Sequence, residues 1–283
     1  MKRGYVTTKE GQIYYEESGS GPALILLHPS PQSGRVYWRL TARFAERFRV
    51  IVPDTLGFGQ SDPLPDGITM RRLAGSVTEL MDELEIGSAH LFGFHTGNKI
   101  AAALASDSPE RADRLILCGQ THSLIADQAA RIAAFGPITD RYFASKESEE
   151  AADSAATAHM LWATEMFADF SRFWWDKRAT AEFGYTPDLK RYLSARIMDL
   201  LQAKPSAAGI YAANFDFDFE AALRRVEART LIVEVASAAE AHLGPQADRL
   251  AATMTNAFAA TIDEGDREVL EMRTDEISKL VLE

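Results

Sequence analysis

The sequence predicts an α/β protein whose mostly parallel, doubly wound sheet is interrupted by a helical insertion. Three observations carry this. Between Ala23 and Cys118, short continuous apolar runs of strand length alternate with stretches of helical spacing. From His122 to about Phe219 that alternation stops, helical patterns follow one another, and aromatics become dense. Thr230-Leu231-Ile232-Val233 then restores the strand pattern, and Phe258–Ile262 supplies another strand.

Taken in order, Gly4–Thr8 and Gln12–Glu17 read as two strands of a hairpin around Lys9-Glu10-Gly11. Gly19-Ser20-Gly21-Pro22 is turn punctuation. Ala23–His28 follows as an apolar run suited to a strand buried on both faces. Trp38–Phe48 has helical spacing, and the next strand centres on Val50-Ile51-Val52. Leu73, Val77, Leu80, Met81 and Leu84 place one apolar stripe on a helix over Met70–Leu84. Ala89–Phe94 is a buried strand, Asn98–Ala105 begins a helix rich in small residues, and Arg114–Cys118 is again strand-like. Leu124–Phe135, Glu150–Phe170 and Leu189–Leu201 are expected helices of the insertion, and Glu268–Leu282 a closing helix. The boundaries expected are a sheet core over 1–122 and 220–283, with the helical insertion over 123–219.

Composition narrows the function. The 283 residues carry 30 Lys plus Arg against 41 Asp plus Glu, a formal charge of -11. That balance argues against nucleic acid as a partner, because phosphate contacts need a basic footprint. The longest dense apolar run, Ala23–Leu27, falls far short of the ~20 residues that cross a bilayer, so no membrane partner is expected. Cys118 is the single cysteine, which excludes an internal disulfide and agrees with a reducing compartment. No secretory signal follows Met1-Lys2-Arg3-Gly4, and a cytoplasmic location is the expectation. The six His are scattered without metal-ligand spacing. Gly57-x-Gly59 lacks the third glycine of a dinucleotide fingerprint. Neither metal nor organic cofactor is expected; the expected partner is a small molecule.

Three segments in order resemble the α/β-hydrolase superfamily, in its epoxide hydrolase and dehalogenase branch. His28-Pro29-Ser30-Pro31-Gln32 is similar to the His-Gly-x-Pro turn after the first buried strand, with Pro29 in place of glycine. Asp54-Thr55-Leu56-Gly57-Phe58-Gly59-Gln60-Ser61-Asp62 resembles the Asp-x-x-Gly-x-Gly-x-Ser turn. Gly93-Phe94-His95-Thr96-Gly97 stands between strand and helix, where the nucleophile elbow Gly-x-Ser-x-Gly belongs. The resemblance covers roughly residues 12–122 and 222–282, and implies that the insertion caps an apolar small-molecule pocket.

The same alignment departs from the family at the chemistry. The nucleophile position holds His95, the usual place of the acid falls on Ala238, and Gly265 is followed by Asp266 where the family keeps its His. What the resemblance retains is an oxyanion hole, from the backbone N–H groups of Ser30 and Thr96. Pro29 and Pro31 have no N–H, so Ser30 is the donor of its stretch. At a helix N-terminus the dipole disfavours imidazolium, and a neutral His95 beside two donors is poised as a general base. It can also act as a nucleophile through an acyl-imidazole. Asp266 is expected either to orient His95 or to be a surface carboxylate.

The wider site is expected to include His28, Gln32, His122, Trp162 and Trp174 as substrate-binding residues. Each has a plainer reading: His28 as a ring tying loops together, His122 as an exposed loop residue, the tryptophans as core. Trp174 and Trp175 are adjacent and cannot both face one direction on a helix. Lys99 is expected to face solvent. The preferred function is an enzyme acting on a small, partly apolar carbonyl or ester-like compound without a Ser-His-Asp triad, by lyase-like or atypical hydrolytic chemistry. The alternative is a ligand-binding pseudoenzyme of the same fold.

Overall fold

The structure is a computed structural model in which residues 1–119, 187–236, 245–263 and 269–282 are described. Eight strands form one sheet in the order β1-β2-β4-β3-β5-β6-β7-β8. They are β1 Lys2–Thr8, β2 Gly11–Ser18, β3 Ala23–Leu27, β4 Arg49–Pro53, β5 Ala89–Phe94, β6 Ala112–Cys118, β7 Arg229–Val235 and β8 Ala257–Ile262. The pairs β1/β2 and β2/β4 are antiparallel, and every other pair is parallel. The described helices are α1 Trp38–Phe44, α2 Met70–Glu83, α3 Thr96–Asp107, α4 Pro187–Ala203, α5 Ala207–Asp216, α6 Phe219–Leu223, α7 Ala247–Ala251, α8 Val269–Met272 and α9 Thr274–Leu282.

Strand periodicity divides the core into two layers. In β3, Ile25 and Leu27 point to one cluster while Leu24 and Leu26 point to the other. In β6, Leu115 and Leu117 alternate with Ile116 and Cys118 in the same way. The first layer is covered by α2, α3, α5, α6 and α7; the second by α1, α8 and α9. Both faces are buried, which is why these strands read as unbroken apolar runs. The mostly parallel, doubly wound sheet is therefore observed.

Local chemistry sets the element ends, with some corrections to the sequence reading. Thr69 caps α2 by accepting from the Arg72 N–H at 3.2 Å. The expected Trp38–Phe48 helix ends at Phe44, and a 3₁₀ turn over Gly34–Tyr37 precedes it. The helix expected from Asn98 starts at Thr96. The closing segment is two short helices, α8 and α9, rather than one. The helix expected over Leu189–Leu201 is observed as α4. The other expected helices of the insertion, Leu124–Phe135 and Glu150–Phe170, lie outside the described residues. Among the described residues, no helix is long and apolar enough to cross a membrane.

Candidate active site

The parallel strands converge on a sharp turn. β5 ends at Phe94, α3 begins at Thr96, and His95 joins them with φ 50° and ψ -108°. That left-handed backbone is costly for a residue with a Cβ. The flanking glycines make the turn possible. A Cβ on Gly93 would stand 2.5 Å from the backbone of Gly97 and Asn98, and one on Gly97 would collide with the Leu27 carbonyl. The chain therefore packs α3 directly against β3 and β5, lifting residue 95 clear of the strand ends. The Asn98 side chain braces the turn from below, donating to the carbonyls of Cys118 at 3.0 Å and Gly119 at 2.7 Å.

His95 is half-buried, with its ring 4.3 Å from that of Phe94, edge to face. Its Nε2 lies beside Gly119, where an added Cβ would approach it to 3.1 Å. The backbone at Gly119 has φ 62°, so glycine there serves both the turn and the space for the imidazole.

The expected oxyanion donors meet at this point, in a different arrangement from the one expected. The Ser30 N–H does not stand open; it donates to the Thr96 hydroxyl at 3.3 Å. That distance is longer than a well-formed N–H···O bond, so the contact is readily exchanged for a better acceptor. Thr96 Oγ1 accepts there and keeps its own O–H as a donor. The Thr96 N–H is the first of α3, where no intrahelical carbonyl can reach it.

His28 is fully buried, and both ring nitrogens are committed. Nδ1 lies 3.0 Å from the Pro29 carbonyl, and Nε2 accepts from the Thr55 N–H at 2.9 Å. Burial lowers its pKa to about 4, so the ring is neutral. The expectation that His28 binds substrate is corrected: its nitrogens tie the Ser30 loop to the Asp54 turn. Gln32 closes the Ser30 loop through its N–H to the Pro29 carbonyl at 3.0 Å. Its side-chain oxygen is buried with no hydrogen-bond partner among the described residues.

The Asp54 turn explains its own motif. The buried Asp54 carboxylate accepts from the N–H groups of Gly34 at 2.8 Å and Gln60 at 2.9 Å. Burial outweighs these bonds and raises its pKa to about 6. A Cβ on Gly59 would collide with the Asp54 carboxylate, and the Ser61 hydroxyl returns to the Asp54 carbonyl at 2.5 Å.

Lys99 is a second correction. Expected at the surface, it is fully buried, and its Nζ donates to the Asn214 carbonyl of α5 at 2.6 Å. The run of small residues from Ile100 to Ala105, buried on every side, signalled a helix with no solvent face for a lysine. Glu234, near the expected acid position, caps α7 by accepting from the N–H groups of Gln246 and Ala247. Asp199 and Arg196 were not foreseen, although their 3–4 spacing with the buried Tyr192 and Ala203 marks a charged pair set into a buried stripe. Asp266, His122, Trp162 and Trp174 lie outside the described residues. No group of three or more metal-ligating side chains occurs among the described residues.

Comparison with known proteins agrees with this architecture. The sequence profile of the α/β hydrolase fold family matches residues 22–197. A soluble epoxide hydrolase of Corynebacterium sp. is 32% identical over 114 residues, 40% of this chain and 40% of that protein. Haloalkane dehalogenase 2 of Mycobacterium tuberculosis is 32% identical over 126 residues, 44% of this chain and 43% of that protein. The chain thus matches less than half the length of these curated relatives. The solved epoxide hydrolase CorEH superposes with a TM-score of 0.75 at 22% identity, over 99% of this chain and 97% of that one. With the strand order, the elbow and the profile in agreement, this chain belongs to the α/β hydrolase fold family.

Proposed function

We propose that this chain is an enzyme acting on a small, partly apolar carbonyl or ester-like compound, with His95 as the reacting base. One observation carries the reading: the elbow holds a titratable imidazole in a left-handed backbone that glycine would occupy at lower cost. The residue at that apex faces the strand ends, beside the amide donor of α3. In the proposed site the substrate carbonyl oxygen lies against the Thr96 N–H and hydroxyl, and the Ser30 N–H completes the set. His95 takes a proton from the carbon next to that carbonyl, and the C–H electron pair becomes an enolate held by these donors. Trp162 and Trp174 as substrate contacts, and Asp266 and His122 as partners of the imidazole, are the candidates the sequence offers, and all four lie outside the described residues. Such a site has no need of a Ser-His-Asp triad.

The test pairs α-proton exchange of small ketones in D2O with cleavage of small apolar esters, in wild type and His95→Ala. The expected result is a loss of 10²–10⁴-fold in whichever activity wild type displays, the usual contribution of a positioned base (roughly this range). Undiminished turnover in His95→Ala overturns the reading. Rapid quench and mass measurement separate base from nucleophile, since an acyl-imidazole adds the acyl mass to the peptide holding His95.

A second reading, a binding protein that forms no product, is favoured by the Ser30–Thr96 contact, which fills the hole with the protein's own hydroxyl. It predicts that a ligand raises Tm in the absence of any turnover.

A further inference from the structure

Helix α4 buries two charged side chains on the stripe that also buries Tyr192 and Ala203. Arg196 pairs with Glu271 of α8 at 2.9 Å, both fully enclosed, which fixes α4 against the second core layer. Asp199, 3% exposed, turns to the loop instead. Its carboxylate accepts from the Ser33 N–H at 3.1 Å, the Ser33 hydroxyl at 2.7 Å and the Arg35 guanidinium at 3.2 Å. A buried carboxylate is a poor stabiliser compared with an apolar residue of similar size. Here each of its three bonds goes to the stretch Ser33–Arg35.

That stretch leads straight to the oxyanion donors. Ser33 follows Gln32, whose N–H closes the turn onto Pro29, and inside that turn Ser30 donates to Thr96. From the core side, Asp54 holds the next residue through the Gly34 N–H at 2.8 Å. The loop is thus gripped by one carboxylate from the sheet and one from a helix beyond it in sequence. If the Asp199 grip is released, Asp54 still holds Gly34, but the arm from Pro29 to Ser33 loses its second fixed point.

We infer that Asp199 is a positioning residue: by holding Ser33 it sets the Ser30 amide against Thr96, so the donors beside His95 assemble when α4 is docked. The inference rests on the proposed reading of His95 for its effect on turnover, and on geometry alone for its effect on Ser30.

The experiment has two arms on the full chain. In the first, serine labelled with ¹⁵N is incorporated, and the Ser30 amide resonance is identified by its loss in Ser30→Ala. Asp199→Ala is expected to shift that resonance and to speed its hydrogen exchange at least tenfold. Asp199→Asn, of equal volume, and Ser33→Ala, which keeps the Ser33 N–H, are expected to shift it less; both serve if Asp199→Ala does not fold. In the second arm, p-nitrophenyl acetate is the probe, and Asp199→Asn is expected to lower kcat about tenfold with KM changed less than twofold. A Ser30 resonance unmoved in the folded Asp199 variants overturns the inference. So does a moved resonance with kcat unchanged in an active enzyme. A moved resonance in a protein whose wild type neither cleaves the ester nor exchanges the α-protons of small ketones supports the grip and counts against the functional reading alone.

Discussion

The Asp54 turn and the His95 elbow are both tight turns at the ends of parallel strands, yet they constrain their residues in opposite ways. At Asp54 the side chains make the turn: the carboxylate binds two amides, the Ser61 hydroxyl binds back, and Gly59 leaves room for them. Changing any of these side chains changes the turn. At the elbow the backbone makes the turn, through the close approaches at Gly93 and Gly97 and the Asn98 brace beneath it. The first turn dictates residue types. The second dictates a place and leaves its occupant to chemistry, which is how the family's architecture accommodates an imidazole there.

This contrast can be broken most directly at the glycines. Gly97→Ala drives a Cβ into the Leu27 carbonyl, between a buried strand and a buried helix that have no room to part. The expected loss is roughly 4 kcal/mol or more, or failure to fold. Gly59→Ala meets a side chain, the Asp54 carboxylate, rather than the backbone of a central strand, and is expected to cost less. Urea unfolding of the two variants ranks them, and the reverse order would contradict the division between backbone-made and side-chain-made turns.

A proton-linked effect tests the scaffold side. His28 titrates near 4 when folded against an ordinary 6.5, so its contribution to stability is present above 6.5 and lost as pH falls toward 4. Asp54 titrates near 6 when folded against an ordinary 3.8, so its contribution is present below 3.8 and lost as pH rises through 6. Each is worth about 3 kcal/mol across nearly the same window, with opposite sign. Between pH 7 and 4 these two contributions nearly cancel. Asp54→Asn removes one side of the balance, and its stability should fall by about 3 kcal/mol more than wild type over that range. Parallel profiles for the two proteins in urea titrations at stepped pH would contradict this assignment.

The smallest effect sharpens the elbow side. His95→Gly relieves the left-handed backbone and is expected to raise stability by about 1 kcal/mol while removing the imidazole. Thermal unfolding measures it. A lower Tm would mean that the His95 ring does hold the turn, and the contrast with Asp54 would narrow.

Most of the frame was legible because its determinants are local. The unbroken run Ala23–Leu27 announces a strand with two buried faces, and the glycines two residues either side of His95 announce the elbow. What could not be read depends on residues distant in the chain. Ser30 meets a hydroxyl 66 positions away, and Ser33 meets a carboxylate 166 positions away. Lys99 was misread because a lysine late in a first helical turn usually faces water, whereas here α5 covers it. Of the two readings of His28, the ring that ties loops together is the one its bonds to Pro29 and Thr55 support.

The enclosure of Lys99 also gives the molecule a built-in chemical gauge. Burial holds its amine well below the ordinary lysine range, and the Asn214 carbonyl occupies it, so in the closed protein it is sealed from amine-modifying reagents. Acylation of that one nitrogen would then count the moments at which α5 lifts from α3. Movement of α5 against α3 can thus be clocked with a soluble reagent and a mass spectrum.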